Sequence, residues 1–427
     1  MDSVLLLNGN IIDFEGNIYE RKNIFIENGI ITSVDDDYNK ADIIYDCEGK
    51  YISPSFTNLH THSPMNIFKG IAEDVSIDRW FNEFIWPYES KITEEDVYHG
   101  ARIAIAEMLS YGVSAFADHY FYPESIIKAA EELGIKIDMA PNLFSIEGNF
   151  REGLENTISL LDKYRENKNI KITLGPHSPY TCNEEDLSLA GEYAKKYNLK
   201  IHIHVSETKA QIEDSLNKKA ATPMEVLYRN GCLDGKTILG HGLYTTEDDL
   251  KFINDNTNFV LCPKTYLKLN MGLGNILRFK DKVNISIGTD GAASSNSLNP
   301  LEQVRLLGLI GKHFSNDNED FDIKTLWKYL MKGHEVLEFN SGKIQNGHSA
   351  DLIIWDLNLP KSAVNNNVLS SIIYSCDSEN LDGILVCGKF IKKDKKILFD
   401  VSKSITYCKE RIDSLIKAGG FKTNLRF

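Results

Sequence analysis

Short apolar runs alternate with turn-forming residues through the first fifty positions of the chain. Runs such as "VLLLNGNIID" and "NIFIENGIITSV" carry Asn-Gly and Gly-Asn pairs between β-rich stretches. Such pairs are typical of tight hairpins, because both residues tolerate left-handed backbone angles. The pattern predicts a small antiparallel sheet, too thin to have a large core of its own.

A different pattern begins at about Ser55, where helical stretches alternate with short buried strands that end in polar residues. The stretch "TEEDVYHGARIAIAEMLSYG" predicts a helix that Thr93 and Asp96 cap and Gly112 ends. With the strand around Asn58, the candidates make eight, enough for a parallel (β/α)8 TIM-type barrel. The other seven are "SAFADHY", "IKIDMAPNL", "IKITLGPHS", "KIHIHVSE", "TILGHGL", "NFVLCPK" and "VNISIGTDG".

The β-rich pattern returns after about Ser341 and is followed by a terminal amphipathic helix, "VSKSITYCKERIDSLIKAGG". We therefore expect an α/β fold with two domains, one of them discontinuous. Residues 55–340 form the barrel, and residues 1–54 and 341–427 form a small β-sandwich built from both chain ends.

Charge and cysteine content narrow the function classes. The formal net charge of -14 argues against nucleic acid or an anionic membrane as partner. The one dense basic patch, "GKFIKKDKKILF", is predicted to be a solvated hairpin. The seven cysteines show no CxxC spacing, and the start "MDSVLLLNGN" has only a short apolar run. We expect reduced thiols and a cytoplasmic location.

The first candidate strand carries His60 and His62 in "NLHTHSPM". Residues two apart on a strand share a face, so both imidazoles can reach one metal ion. An HxH pair alone is weak evidence, since two buried structural histidines would give the same pattern. However, His177, His204 and His241 also occupy the C-terminal ends of predicted strands, where barrels place their catalytic groups.

Three imidazoles and a carboxylate suit one zinc ion and leave a place for water, and iron(II) accepts the same kinds of ligand. A metal-bound water ionises near neutral pH and can act as the nucleophile. Asp290 would accept the proton of that water, and Glu207 would act as a general acid toward the substrate. His241 would polarise the attacked carbon or steady the water. The alternative for Glu207 is a surface carboxylate, and the alternative for His241 is a structural imidazole.

The set HxH, HxxE, HG and GTDG, with "GHSADLIIWD" near the end, resembles the amidohydrolase superfamily over essentially the whole chain. Within it, the closest resemblance is to 5-methylthioadenosine/S-adenosylhomocysteine deaminases and related chlorohydrolases. The resemblance implies that the metal ligands are His60, His62, His204 and Asp290, and that Glu207 and His241 act on the substrate. It also implies that His177 hydrogen-bonds a purine ring, Trp80 packs on the base and Glu89 holds the ribose hydroxyls. It also matches Arg151, in "EGNFREGLEN", to a family arginine.

Two departures from the family bear on substrate and metal. Asn142, in "MAPNLFS", lies near the place where close relatives carry an arginine for the S-adenosylhomocysteine carboxylate. "CPKTY" replaces the usual "CPTSN", so that Lys264, Thr265 and Tyr266 change the pocket. We therefore expect a preference for small 5'-substituents, or for another heterocycle. "KITLGPHS" has no lysine near its end to bridge two metals, which favours a single ion.

The leading expectation is a mononuclear aminohydrolase that deaminates an adenosine-type nucleoside and releases ammonia. 5'-Methylthioadenosine, 5'-deoxyadenosine and S-adenosylhomocysteine are the substrates considered. Deamination of guanine, a pterin or cytosine, dechlorination of a triazine, and cyclic amide hydrolysis would use the same residues. A scaffold protein that has lost its metal is the remote alternative. The partner is a small molecule; related barrels often pair or form tetramers, so a homo-oligomer is compatible with the sequence.

Overall fold

The computed structural model describes residues 3–36, 38, 40–146 and 148–418. The predicted extent of the sandwich, 1–54 and 341–427, reaches residues outside this range at both chain ends. Within the described residues, the strands are β1 (Val4–Ile12), β2 (Ile18–Glu27), β3 (Ile30–Val34), β4 (Ile43–Asp46), β5 (Tyr51–Pro54), β6 (Phe56–Thr61), β7 (Val113–Tyr120), β8 (Lys136–Leu143), β9 (Ile170–Ile172), β10 (Gly175–Pro176), β11 (Ile201–Val205), β12 (Thr237–His241), β13 (Thr257–Leu261), β14 (Asn284–Ile287), β15 (Leu352–Trp355), β16 (Leu381–Val386), β17 (Lys389–Lys393) and β18 (Lys396–Ile397).

The α-helices of the same residues are α1 (Ile77–Arg79), α2 (Trp86–Glu89), α3 (Glu94–Ser110), α4 (Pro123–Leu133), α5 (Phe150–Tyr164), α6 (Glu184–Tyr197), α7 (Lys209–Lys219), α8 (Pro223–Arg229), α9 (Pro263–Lys268), α10 (Ala292–Ser295), α11 (Pro300–Ser315), α12 (Ile323–Leu337), α13 (Val368–Tyr374) and α14 (Ser402–Lys417). Short 3-10 turns cover Ser63–Phe68, Asp248–Phe252, Ile276–Phe279 and Ser378–Asn380, and a π-helical turn covers Trp80–Ile85. None of the helices described is long and apolar enough to cross a membrane.

The two ends of the chain meet in one sheet, as the β-rich patterns predict. Nine strands, β1–β5 and β15–β18, are hydrogen-bonded to one another, and β5 pairs with β15 across the sequence gap. Alternate residues such as Val4, Leu6, Ile24 and Ile26 pack into an apolar core separate from that of the barrel. The hairpin predicted for the basic patch is confirmed as β17–β18, but it is not solvated throughout, because Phe390, Ile391 and Lys392 of β17 are buried. The sheet is not purely antiparallel, because β4 and β5 run parallel to β1.

The central part of the chain forms the predicted parallel barrel, with helices between its strands. Strands β6, β7 and β8 pair in order, as do β11 to β14. The fourth barrel strand is divided into β9 and β10, a break that its sequence pattern did not predict. Gly175 is the point of closest approach there, since a Cβ atom would lie 2.4 Å from the Pro141 carbonyl oxygen. The backbone N–H groups of Thr289 and Asp290 donate to the His60 carbonyl at 3.1 and 3.0 Å, which joins the last strand to the first.

Barrel and sheet are joined by a buried ion pair at the end of the barrel opposite the strand C-termini. Lys136 begins β8, and its Nζ contacts the Asp351 carboxylate and the Ser349 hydroxyl. The side chains of Lys136 and Asp351 are 2% and 0% exposed. The helix predicted between Thr93 and Gly112 is confirmed as α3, with the Thr93–Asp96 capping box in place. The predicted domain boundaries near residues 54 and 340 agree with these pairings and stay a prediction.

Candidate active site

Side chains from four barrel strands meet at the carboxyl end of the barrel. His60 lies in β6 with His62 just beyond it, His204 lies in β11, His241 ends β12, and Asp290 follows β14. All except the half-buried His62 are buried. His241 and Asp290 have positive φ angles of 72° and 59°. Such angles are uncommon for residues other than glycine and are concentrated at functional sites, where they aim a side chain that a regular strand would direct elsewhere.

His62 and His204 are oriented by main-chain carbonyl groups behind them. The Nδ1 atom of His62 is 2.7 Å from the His119 carbonyl oxygen, and Nδ1 of His204 is 2.9 Å from the His177 carbonyl oxygen. Because a carbonyl oxygen only accepts, each Nδ1 carries a proton, and each Nε2 presents a lone pair when its ring is neutral. The two Nε2 atoms lie 3.2 Å apart, and His62 Nε2 is 3.3 Å from Asp290 Oδ1.

His60 completes the cluster from below. Its Nε2 is 3.8 Å from Asp290 Oδ1, is fully buried, and has no hydrogen-bond partner among the described residues. Its Nδ1 is 2.7 Å from Nε2 of His202. A buried nitrogen without a partner is costly unless something binds it. His60 Nε2 is therefore the atom that most clearly requires a ligand.

The electrostatics of the cluster favour a bound cation. Burial lowers the pKa of His204 to about 3, so this ring is neutral, the form that binds metal. Burial would lower the pKa of His62, but the Asp290 carboxylate outweighs it and raises that pKa to about 9. Burial would raise the pKa of Asp290, but His62 and Ser294 hold it well below its ordinary value. A positive charge is thus stabilised between His62 and the ionised Asp290.

The donor set fits a divalent metal ion. Two groups of side chains have ligand atoms within 4.8 Å of one another, His60–His62–Asp290 and His60–His204–His241. Imidazole nitrogens with one carboxylate oxygen match zinc, which takes four ligands in a tetrahedral arrangement and keeps a position for water in catalytic sites. Both groups include His60, and the predicted ligand set of His60, His62, His204 and Asp290 is drawn from them.

His241 lies close enough to be a ligand, but its hydrogen bonds favour another role. The Cys262 backbone N–H donates to the Tyr266 hydroxyl at 2.8 Å, and that hydroxyl lies 3.3 Å from His241 Nδ1. The hydroxyl proton is then available for Nδ1, which leaves the His241 proton on Nε2. Burial lowers the pKa of His241 to about 4, so the ring is a neutral donor. It faces Glu207, whose Oε1 is 3.7 Å from Nε2.

Glu207 is a buried carboxylate at the edge of the cluster. It follows β11, and its side chain is 9% exposed. The Tyr180 hydroxyl donates to Oε2 at 3.1 Å, and the Gln211 amide donates to the same oxygen at 3.4 Å. Burial raises the pKa of Glu207 above its ordinary value. With Oε2 occupied, Oε1 is the oxygen that faces His241 and can carry a proton to a bound substrate.

His177 stands beside the cluster with one nitrogen available. Its ring is half-buried, lies 4.8 Å from the His204 ring, and is stacked on Phe144 at 4.5 Å. Nδ1 is 2.9 Å from the Thr181 hydroxyl and 3.3 Å from that of Ser178. Because Nδ1 is occupied by the protein, Nε2 is the atom left to meet a substrate.

The other predicted substrate contacts lie at different distances from the cluster. Glu89, at the end of α2, is close to Tyr120 and His62, both of which oppose the rise in its pKa that burial causes. Trp80 is buried in the π-helical turn that precedes α2, and its indole N–H has no partner among the described residues. π-helical turns are often found at functional sites. Arg151 is exposed in the first turn of α5, so its predicted contact stays a prediction.

The structure adds residues that the sequence patterns did not single out as site residues. His119 and His202, both 0% exposed, form a second layer of imidazoles beneath the cluster, and Tyr180 holds Glu207. The position of His202 was predictable, because it lies two residues before His204 on the same strand and therefore shares its face. His119 is the penultimate residue of β7, before Tyr120, but a single histidine on a buried strand carries no motif. Tyr180 sits in a loop, where sequence period gives no orientation.

A cluster of imidazoles and a carboxylate at the carboxyl rim of a (β/α)8 barrel is typical of metal-dependent hydrolases. Residues 51–391 match the amidohydrolase family. The chain therefore belongs to that family, as its sequence motifs predict, and it is a hydrolase.

Relatives of the chain share nearly its full length. It is 35% identical to a 5-methylthioadenosine/S-adenosylhomocysteine deaminase of Dictyoglomus turgidum, over 94% of this chain and 97% of the relative. It is 31% identical to a 5'-deoxyadenosine deaminase of Methanosphaera stadtmanae, over 89% of this chain and 91% of the relative. The crystal structure of a zinc-bound adenosine deaminase from Xanthomonas campestris superposes with a TM-score of 0.92 at 25% identity, covering 97% and 98% of the two chains.

Proposed function

We propose that the protein deaminates a 5'-substituted adenosine, with one divalent metal ion, zinc, held by His60, His62, His204 and Asp290. The observation that carries the proposal is the placement of Glu207, a buried carboxylate with a raised pKa whose Oε1 faces His241 at 3.7 Å. An amidine carbon requires a proton on its ring nitrogen before it accepts a nucleophile, and a carboxylate at this place can supply one. Relatives named as deaminases of methylthioadenosine and deoxyadenosine support the substrate class.

A divalent ion bound by these ligands would activate a water molecule for attack on the amino-bearing carbon. The residues of the chain account for the proton movements. Asp290, with its pKa held low, accepts a proton from the attacking water. Glu207 delivers a proton to the ring nitrogen, and His241 donates from Nε2 toward the attacked centre. The proton on Asp290 then goes to the departing amine, and the proton of the new hydroxyl group goes to Glu207. Ammonia leaves, a carbonyl group remains, and both carboxyl groups return to their starting protonation states.

Contacts to the rest of the nucleoside follow from the same geometry. His177 Nε2 would hydrogen-bond the purine, and Glu89 would accept from the two ribose hydroxyls. We also propose that Trp80 packs on the base and that Arg151 contacts the 5'-substituent of the nucleoside. Asn142 is the penultimate residue of β8 and pairs with Gly175, and its Oδ1 is buried without a partner among the described residues. An amide in place of a cation holds a carboxylate tail less well, so we propose methylthioadenosine or deoxyadenosine over S-adenosylhomocysteine.

The cellular setting is part of the proposal. All seven cysteines are free and six are buried, which suits a reducing compartment, and we propose a cytoplasmic enzyme. We also propose one metal per chain, since the described residues offer no lysine beside the cluster to bridge two ions. The homo-oligomer considered from the sequence stays a prediction.

The test is ammonia release by the purified, zinc-loaded protein against a panel of substrates. The panel contains 5'-methylthioadenosine, 5'-deoxyadenosine, adenosine, S-adenosylhomocysteine, guanine, cytosine and a pterin. We expect turnover of a 5'-substituted adenosine that Glu207→Gln abolishes. Glu213→Gln, an exposed carboxylate on α7, is the matched control and should leave turnover unchanged. Turnover of guanine, cytosine or the pterin alone, or of no panel member, would refute the proposed substrate class.

A further inference from the structure

The three imidazoles of the proposed metal site differ in what supports them from behind. Carbonyl oxygens accept from Nδ1 of His62 and His204, at 2.7 and 2.9 Å. Behind His60 there is another imidazole, because its Nδ1 lies 2.7 Å from Nε2 of His202. A carbonyl can only accept, whereas an imidazole nitrogen accepts in one tautomer and donates in the other. The orientation of His60 therefore depends on the tautomer of His202.

The contacts of His60 determine the tautomer of His202. His60 Nε2 faces Asp290 and the cluster and needs its lone pair to bind a metal, so its proton belongs on Nδ1. His60 then donates to His202, and His202 must accept through a bare Nε2. The His202 proton is thereby placed on Nδ1, which is buried and has no partner among the described residues.

His119 has the opposite polarity next to this proton. Its Nε2 is 3.0 Å from the Gly175 carbonyl oxygen, so Nε2 carries the proton and Nδ1 is a bare acceptor. That Nδ1 is also buried and unpartnered within the described part of the chain. The two rings stack with centroids 5.1 Å apart. The stacked pair thus carries one unpartnered donor, on His202, and one unpartnered acceptor, on His119, whereas the opposite tautomer of His202 would leave two unpartnered acceptors in the stack.

We propose that His202 is a positioning residue that fixes the metal-binding tautomer of His60, supported by the stacked ring of His119. The inference rests on the proposed metal site and not on the substrate. Outer groups that orient a ligating histidine contribute about 10- to 100-fold to metal affinity. A histidine in this role differs from the more common carboxylate because it leaves the site without an added negative charge.

Two polar substitutions distinguish this role from packing. Gln places its amide oxygen where His202 has Nε2, whereas Asn reaches only the position of Nδ1. In His202→Gln we expect a zinc dissociation constant within about threefold of wild type, and in His202→Asn a constant raised by about 10- to 100-fold. His334→Asn is the control, a buried histidine whose two nitrogens bond Ser341 and the Ser55 carbonyl away from the site. It should leave zinc affinity unchanged.

The measurement is the zinc dissociation constant of the full-length chain, obtained by competition with a chromogenic chelator. Thermal unfolding of the metal-free protein checks that each variant is folded. If the Asn variant does not fold, His202→Ala takes its place with the same expected loss. Equal affinities in the Gln variant and its Asn or Ala counterpart, whether both strong or both weak, would overturn the proposal. A wild-type chain that binds no zinc would refute the metal site itself. Zinc binding without deamination would count against the substrate class alone.

Discussion

Tyr180 is more exposed than the groups proposed to move protons, Glu207, His241 and Asp290, and its hydroxyl gives the sharpest test of that machinery. Tyr180 lies in the loop after the fourth barrel strand, is 37% exposed, and donates to Glu207 Oε2 at 3.1 Å. With Gln211 and Ile146, it also lines a cavity of about 310 Å³ beside the site. Tyr180→Phe removes one oxygen atom and keeps the ring, so the change isolates this hydrogen bond.

The expected size of the effect follows from the contacts that remain. Glu207 becomes charged as it gives up its proton, and a hydrogen bond to a charged group contributes about 1.5–3 kcal/mol. Each 1.36 kcal/mol in a barrier is about tenfold in rate. The Gln211 amide still donates to the same oxygen at 3.4 Å, and water can replace an exposed hydroxyl. Both facts favour the lower end of the range, and we expect kcat to fall by about 5- to 20-fold.

The division between kcat and KM is the informative readout. Tyr180 holds the proton-carrying carboxylate and not the ribose, so KM should stay within about threefold while kcat falls. Steady-state ammonia release with the best panel substrate measures both constants. Tyr228→Phe, a tyrosine that is 48% exposed on α8, is the matched control. An unchanged kcat in Tyr180→Phe, or a loss carried wholly by KM, would show that this contact does not orient Glu207 for proton transfer.

Three further predictions concern the tail, the domain joint and the metal cluster. Asn142→Arg should raise kcat/KM for S-adenosylhomocysteine relative to 5'-methylthioadenosine by roughly tenfold, since a charge-assisted bond is added where Oδ1 has no partner. Lys136→Met should lower the free energy of unfolding in urea by about 3–5 kcal/mol, because Asp351 is left buried and unpaired. Gly240→Ala should weaken zinc binding by roughly tenfold in chelator competition, since its new Cβ would lie 3.0 Å from His60 Cε1 and cause an overpacking cost of ~1–3 kcal/mol.

Each of these has a contrary result and, for two of them, a matched control. An unchanged ratio of the two substrates in Asn142→Arg would mean that the tail does not pass the end of β8. Lys163→Met breaks an exposed pair with Glu124 and should cost ~0–1 kcal/mol; a similar loss at both lysines would refute the argument from burial. Gly235→Ala introduces a Cβ with nothing within 4 Å, so zinc affinity should not change there; equal zinc affinities in the two alanine variants would refute the argument from packing at Gly240.

The architecture was predictable from three local features: the two-residue period of strands, the 3.6-residue period of helices, and the tendency of barrels to place functional side chains at the C-terminal ends of their strands. Buried strands alternating with amphipathic helices define the barrel, and strand ends then gather polar side chains at one rim. That reasoning brings His60, His62, His204 and Asp290 together without any knowledge of long-range contacts. The capping box at Thr93 was equally local and is present.

What the sequence did not predict depends on contacts between distant segments. The parallel pairing of β4 and β5 with β1 has no signal in the local sequence, because hairpin turns indicate pairing only between strands that are consecutive along the chain. The break between β9 and β10 arises from the close approach of Gly175 to Pro141, which a pattern of apolar residues cannot express. Tyr180 meets Glu207 across 27 residues of sequence, and only the fold shows that the two are neighbours.

The strained backbone at the site is stabilised by the closure of the barrel. Positive φ angles at Ser206, His241 and Asp290 each cost on the order of 1–3 kcal/mol and persist only where the surroundings determine them. At Asp290 the surroundings are known, because its own N–H and that of Thr289 both donate to the His60 carbonyl. The same hydrogen bonds that join the last strand to the first therefore set the distance between two proposed ligands. A metal ion would then enter a site whose geometry the barrel already enforces, with little of its binding energy spent on ordering the chain.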